Sequence, residues 1–404
     1  MILMLHSMEF KALLTSYRPF LLGALLAGAL GGLPWKGALA AHPELNGRPP
    51  QAQSQAVSAE AARAKEFEWH DAQSLTIKGL GWKELQRTYT RLPAKAQAAV
   101  TPEVWKLSQH SAGGHVQFLS NSQKIKVRWS VRGNNSLNHM APTAVKGVDL
   151  YVRTKAGWQW AGVGKPSGKK NEVELVSSMV AGEREFMLYL PLYDGVDSVS
   201  IGVEKGASIK PLAGKPEKPI VFYGTSITQG ACATRAGMAY PSIIGRQLNR
   251  ETINLGFSGN GKMHIELAHL LTEIDASLYV LDNMPNMQAE DVEPKAVAFV
   301  KHLRAAQPHT PILLVENLEY AHGWVDTRVA GLVAEKNKNL RKAYEQLKAA
   351  GVTNLFYLNN QNLALANGEG TVDGIHLTDL GFAHLATELT KEIRKVEKKA
   401  RQGC

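Results

Sequence analysis

Cysteine is almost missing from this chain. Only Cys232 and Cys404 occur in 404 residues, so a disulfide framework is excluded as the basis of the fold, and no metal site built on thiolates is expected. The thirteen histidines lack zincin spacing. His264 and His269 stand five apart, whereas two ligands on one helical face stand four apart. No uninterrupted apolar run reaches the ~20 residues of a comfortable membrane span. Charge of one sign is in modest excess: 46 Lys+Arg against 36 Asp+Glu give +10, spread along the chain. Without an Arg-rich aromatic RNA motif or zinc-finger spacing, that excess predicts weak attraction to anionic surfaces and no nucleic-acid partner. With 44% hydrophobic and 20% charged residues, the chain is neither disordered, collagenous nor a coiled coil.

The start of the chain has its own pattern. Lys11 and Arg18 precede an apolar stretch over residues 19–34, and Ala38-Leu39-Ala40 follows it. A basic start, a short apolar run broken by glycines and a small-x-small site predict a secretory signal peptide over residues 1–40. An uncleaved anchor is the alternative. Export implies a periplasmic or secreted protein with no stable membrane insertion after cleavage. Residues 41–65 are polar and rich in Ala, Gln and Pro, which reads as a linker.

Two folded parts follow. Over residues 66–213 the period is two: Ile125, Val127, Trp129 and Val131 alternate with Lys124, Lys126, Arg128 and Ser130. Phe186–Leu192 and Val199–Val203 alternate in the same way. Short half-buried antiparallel strands without strong helical runs predict a β-sandwich. Lys210–Lys218, with two prolines, marks a boundary. Over residues 217–401, five short apolar runs (219–223, 252–256, 277–281, 311–315 and 354–358) alternate with helical stretches. That rhythm predicts an α/β fold with a doubly wound parallel sheet, in which ligands bind at the carboxyl ends of the strands.

Chemically suggestive residues fall at those ends. The first strand runs into Gly224-Thr225-Ser226-Ile227-Thr228-Gln229-Gly230. Ser226 is a candidate nucleophile, or a helix N-cap. The segment lacks the Lys-Ser/Thr of a P-loop and is not the GxSxG elbow of α/β-hydrolases. The second strand ends in residues 254–261, NLGFSGNG, a glycine-rich stretch that lets backbone N–H groups approach a ligand. The third ends in Asp282-Asn283-Met284-Pro285-Asn286-Met287, where an Asn amide can serve as oxyanion donor or turn former. Before the last helix comes Asp373-Gly374-Ile375-His376. His is suited to take a proton near neutral pH, and an Asp three residues earlier can fix its tautomer.

These blocks resemble the four signature blocks of the SGNH (GDSL-type) hydrolases. The resemblance implies a flavodoxin-like five-stranded parallel sheet with helices on both faces, preceded by the all-β sandwich. It implies Ser226 as nucleophile, His376 as base with Asp373 as its orienter, and an oxyanion hole of Ser226, Gly259 and Asn286. Thr225 stands where Asp is usual, Met284 where Gly is usual and Met287 where Asp is usual, so Asn283 stays open as the alternative to Asn286. Gly147-Val148-Asp149-Leu150-Tyr151 resembles the GxDLY motif of a β-sandwich fused to one bacterial branch of these enzymes. The family's chemistry implies ester hydrolysis through an acyl-enzyme, with no cofactor and no metal. With export, an O-acetylated carbohydrate is the first expected substrate. A lipolytic esterase or thioesterase, an acyltransferase, and a glycan-binding protein with a decayed site are the alternatives. Arg235 and Trp324 are candidate substrate contacts. The sequence does not fix the oligomeric state.

Overall fold

The computed structural model describes residues 66–402, apart from Gln86, residues 214–216 and Ala366. The expected signal peptide and linker lie outside the described residues, as does Cys404. Among the described residues no helix is long and apolar enough to cross a membrane.

The N-terminal strands are β1 (Phe67–Asp71), β2 (Thr76–Lys78), β3 (His115–Ser120), β4 (Ile125–Val131) and β5 (Val148–Thr154). They continue with β6 (Gly157–Gly164), β7 (Lys170–Val176), β8 (Arg184–Tyr189), β9 (Val196–Glu204) and β10 (Ile209–Pro211). One antiparallel sheet has the order β1-β9-β4-β7, and a second has β10-β3-β8-β5-β6 with β2 on β3. The period-two residues close the space between them. Ile125, Val127, Trp129 and Val131 of β4 point inward, where they meet Val199, Ile201 and Val203 of β9. Val116 and Phe118 of β3 and Phe186 and Leu188 of β8 come from the other sheet. Phe118 and Phe186 stack with ring centroids 5.0 Å apart. The buried Trp129 indole finds a partner for its N–H in the carbonyl of Lys146 at 2.9 Å, as a buried indole must.

Part of residues 66–213 leaves this sandwich. Helix α1 (Pro102–Ser108) begins at Thr101, whose hydroxyl caps it by accepting from the Val104 N–H. Leu92, Ala96 and Val104 then pack with Val221, Tyr223, Ile253 and Leu255 of the parallel sheet. A short helix α2 (Pro142–Val145) precedes β5.

The C-terminal part alternates as its apolar runs predict. Its elements are β11 (Ile220–Gly224), α3 (Ser226–Gln229), α4 (Tyr240–Leu248), β12 (Thr252–Gly256) and α5 (Ile265–Leu271). Then come β13 (Leu278–Asp282), α6 (Ala289–Ala306), β14 (Ile312–Val315), α7 (Thr327–Ala349), β15 (Leu355–Leu358) and α8 (Asp379–Gln402). All five strands are parallel, in the order β12-β11-β13-β14-β15. Because alternate residues face opposite sides and both sides are covered, the strands are mostly apolar on both faces, with Thr252, Asn254 and Asp282 as buried polar exceptions. Ile220, Phe222, Leu278 and Val280 meet α4 and α8 through Ile244, Phe382, Leu385 and Leu389. Val221, Tyr223, Tyr279 and Leu281 meet α5, α6 and α7 through Leu267, Phe299, Val300 and Leu340. The strand order reverses at β11, between β12 and β13, so a crevice opens where the loops after these strands diverge.

Candidate active site

Ser226 is the first residue of α3, directly after β11. Thr225 is its N-cap, and its hydroxyl accepts from the Ile227 N–H at 3.3 Å. An Asp there would accept the same bond, so Thr225 preserves the local structure with a neutral oxygen. Gly230, in the left-handed region at φ 108°, ends the turn. Beneath it lies Asp282, the last residue of β13, which is buried and accepts from Tyr240 Oη at 2.9 Å and Thr228 Oγ1 at 3.3 Å. Burial pushes the Asp282 carboxyl up to about 6, although both hydroxyl donors oppose that rise.

The block before α8 brings its acid and base to the serine. Ser226 Oγ and His376 Nε2 are 2.9 Å apart, and His376 Nδ1 and Asp373 Oδ2 are 2.7 Å apart. The other Asp373 oxygen accepts from the backbone N–H groups of His376 at 2.8 Å and Ile375 at 3.1 Å. Partial burial raises the Asp373 carboxyl, but the bonds from the His376 ring and these N–H groups outweigh it and bring it down to about 2. A carboxylate held by three donors stays ionised and aims the imidazole. With Nδ1 facing that carboxylate, the His376 proton belongs on Nδ1 and the lone pair of Nε2 faces the serine.

The glycine-rich loop after β12 is held from below. Asn254 donates to the Thr228 carbonyl at 2.7 Å and accepts from Gly256 N–H at 2.9 Å. Gln229 accepts from Ser258 N–H at 3.1 Å. At Gly256 a Cβ would come within 2.1 Å of the Gln229 nitrogen, so only glycine lets the two loops touch. Gly259 has φ +70°, which any other residue would adopt with strain. Asn286 ends a single 3₁₀ turn after β13 and is half-buried. Its amide oxygen accepts from Gly261 N–H at 3.2 Å, which fixes the amide and leaves its NH₂ group free to donate. Asn283 is fully buried, and neither atom of its amide has a partner among the described residues. The two asparagines are thus distinguished: one reaches the surface of the crevice and the other is closed off.

Several contributors carry no local signal in the sequence. Arg91 is buried, and among the described residues it has no carboxylate partner. It donates to the carbonyls of Leu107, His110, Asn254 and Gly256, two of them on β12. Burial lowers its pKa to about 9. His139, exposed on the loop after β4, has its ring centroid 5.8 Å from that of His376. Cys232, buried at φ +70°, lies beside both; the nearest ring nitrogens and the Sγ fall within 4.8 Å of one another, a donor set that a metal ion can use. Burial pushes the Cys232 thiol up to about 12, so it is not an activated nucleophile.

The two candidate substrate contacts separate. Arg235 is engaged with the sandwich: Nη1 lies 2.8 Å from Asp149 Oδ2 and donates to Tyr151 Oη at 2.6 Å. Trp324, 86% exposed, borders a hollow of ≈ 640 Å³ that also includes His322, Asn367, Thr371 and Asp373.

Residues 217–394 match the model of the GDSL-like lipase/acylhydrolase family, and residues 67–209 match that of the N-terminus of SGNH-hydrolase-type esterases. No curated protein sequence matches. Among solved structures, a GDSL-like lipase from Bacteroides ovatus ATCC 8483 is 37% identical, with a TM-score of 0.79 over 82% of this chain and 98% of that one. The salicylyl-acyltransferase SsfX3 from a tetracycline biosynthetic pathway has 19% identity and a TM-score of 0.67, over 82% of this chain and 97% of its own. A family two carbohydrate esterase from Cellvibrio japonicus has 14% identity and a TM-score of 0.54, over 82% of this chain and 98% of its own. The last two share the fold. The match to the first and the two family models together place the chain: it belongs to the GDSL-like (SGNH) family of ester hydrolases, in the branch with a GxDLY N-terminal region.

Proposed function

We propose that this protein is a secreted serine esterase that removes O-acyl groups, O-acetyl first, from a carbohydrate. The observation that carries the reading is the continuous chain from Ser226 Oγ to His376 Nε2 at 2.9 Å and from His376 Nδ1 to Asp373 at 2.7 Å. Ser226 Oγ attacks the ester carbonyl while His376 Nε2 takes its proton. Asp373 steadies the imidazolium. The N–H groups of Ser226 and Gly259 and the amide of Asn286 receive the oxyanion. His376 then gives its proton to the departing sugar oxygen, leaving the acyl group on Ser226. Water attacks that ester with the same histidine as base, which returns the enzyme.

The carbohydrate assignment is supported by the rim. An exposed indole, Trp324, beside polar Asn367 and Thr371 suits a sugar face better than a long acyl chain. The shared fold with a family two carbohydrate esterase points the same way. The shared fold with SsfX3 favours a second reading, in which a sugar hydroxyl replaces water as acceptor. Export is supported by the pattern of residues 1–40. Purified protein assayed on a short acyl chromogen and a panel of acetylated glycans tests the proposal. Acetate release from a glycan supports it. Activity on long acyl chains alone, or acyl transfer to added sugar without net hydrolysis, decides against it.

A further inference from the structure

We propose that His139, Cys232 and His376 bind a single thiophilic divalent cation, of which Zn2+ is the best fit, and that the bound ion shuts off ester hydrolysis reversibly. The loss of hydrolysis rests on His376 acting as the base; the ion site does not.

Three segments far apart in sequence converge here. His139 comes from the loop between β4 and α2, Cys232 from the loop after α3, and His376 from the block before α8. The nearest ligand atoms lie within 4.8 Å of one another. Zn–N bonds of about 2.0–2.1 Å and a Zn–S bond of about 2.3 Å put tetrahedral ligand atoms roughly 3.3–3.7 Å apart. Closing the site therefore asks for about 1 Å of movement, and the exposed His139 side chain can supply it.

Each imidazole has its Nδ1 engaged, which keeps Nε2 as the nitrogen available to an ion. His139 Nδ1 is 2.9 Å from Asn138 Oδ1, which leaves its Nε2 for the ion. His376 Nδ1 is held by Asp373, so its Nε2 carries the lone pair. A carboxylate behind a ligating histidine is the usual second layer of a zinc site. Two imidazoles and one thiolate leave a fourth position for water or Ser226 Oγ. The donor set favours a borderline or soft cation over Mg2+ or Ca2+, which take oxygen ligands.

Binding balances as follows. The Cys232 S–H bond breaks and its proton goes to solvent, and a Zn–S bond forms. The Nε2 lone pairs of His139 and His376 form the two Zn–N bonds, and the Ser226 hydroxyl loses its acceptor. One proton leaves for each ion bound, as for metal sites in general. With its lone pair on the ion, His376 cannot take the Ser226 proton.

The test uses the full-length protein under a metal-free reductant. Buffered Zn2+ is titrated against hydrolysis of a short acyl chromogen, each variant being normalised to its own zinc-free rate. The expected result is complete loss of rate in the wild type, restored by EDTA, and half-inhibition shifted at least tenfold upward in both His139→Ala and Cys232→Ser. Co2+ provides a readout that needs no activity: a thiolate-to-cobalt charge-transfer band should appear in the wild type and in Ser226→Ala and be lost in Cys232→Ser. Equal half-inhibition in the wild type and His139→Ala, or no band in the wild type, overturns the ion site. A band with undiminished hydrolysis overturns the shut-off and argues against His376 as the base.

Discussion

Asp149 and Arg235 form a salt bridge of 2.8 Å, with the aspartate fully buried. Asp149 lies at the start of β5, within the GVDLY motif, and Arg235 lies in the loop that follows α3. The same carboxylate accepts from Gly237 N–H at 2.9 Å and from the Trp160 indole at 2.8 Å. One side chain of the sandwich thus ties down the loop behind the nucleophile. Removing one partner of such a buried pair strands the other. Asp149→Ala should therefore cost about 3 kcal/mol in urea unfolding. In a double-mutant cycle with Arg235→Ala, the two losses should fall clearly short of adding, since both remove one interaction. Additive losses would show that the pair contributes nothing.

Ser226→Ala should lower kcat by about 10⁴ or more, because the nucleophile is gone while binding survives. Its melting temperature should stay close to the wild type. A serine-directed phosphonate should label Ser226 and leave the variant unlabelled, as read by intact mass. Label retained in the variant would move the nucleophile elsewhere.

Asn286→Ala should lower kcat by about 10²–10³ with little change in KM, since its hydrogen bond strengthens only as the oxyanion develops. Asn283→Ala should leave kcat within about threefold, because its amide is enclosed. Steady-state kinetics on a chromogenic ester separate the two. A loss confined to Asn283→Ala would exchange their roles.

The Asp282 carboxyl is raised to about 6, above its unfolded value of about 4. A group raised in this way contributes stability that is present below about pH 4 and lost as pH rises through about 6. Two pH units correspond to at most roughly 3 kcal/mol. Asp282→Asn imitates the protonated form at every pH. Its stability relative to wild type should therefore improve between pH 4 and pH 7, as followed by denaturant unfolding. A difference that does not change with pH would show that Asp282 does not titrate in that window.

The parallel sheet was legible in the sequence because strands covered on both faces are largely apolar, and the buried polar exceptions Thr252, Asn254 and Asp282 each find hydrogen-bond partners. Runs such as TINLG at 252–256 coincide with β12 residue for residue. Ser226, Asp373 and His376 were legible as a set because chain topology puts all strand ends on one edge, and the fold brings these three within hydrogen-bond reach. The choice between Asn283 and Asn286 was not, since it depends on which way a single 3₁₀ turn points two identical side chains. Nor was the Asp149–Arg235 pair, whose members are 86 residues apart. His139 gave no signal, because a histidine in a polar loop has no pattern around it. The stretch from Leu92 to Val104 has neither a strand nor a long helical period, so nothing local assigns it to the core of the other half.

That last stretch bears on how the molecule comes apart. Arg91 spends its donors on the carbonyls of Asn254 and Gly256, while Leu92, Ala96 and Val104 fill one side of the parallel sheet. A fragment cut at the Pro-rich boundary and starting at residue 217 would lack part of its own interior and would leave two carbonyls of β12 unpaired. Such a piece should be insoluble or molten, and heat should melt the intact protein in one step rather than two. Genetic shuffling of the hydrolase half onto other N-terminal modules would succeed only if residues 80–111 travelled with it.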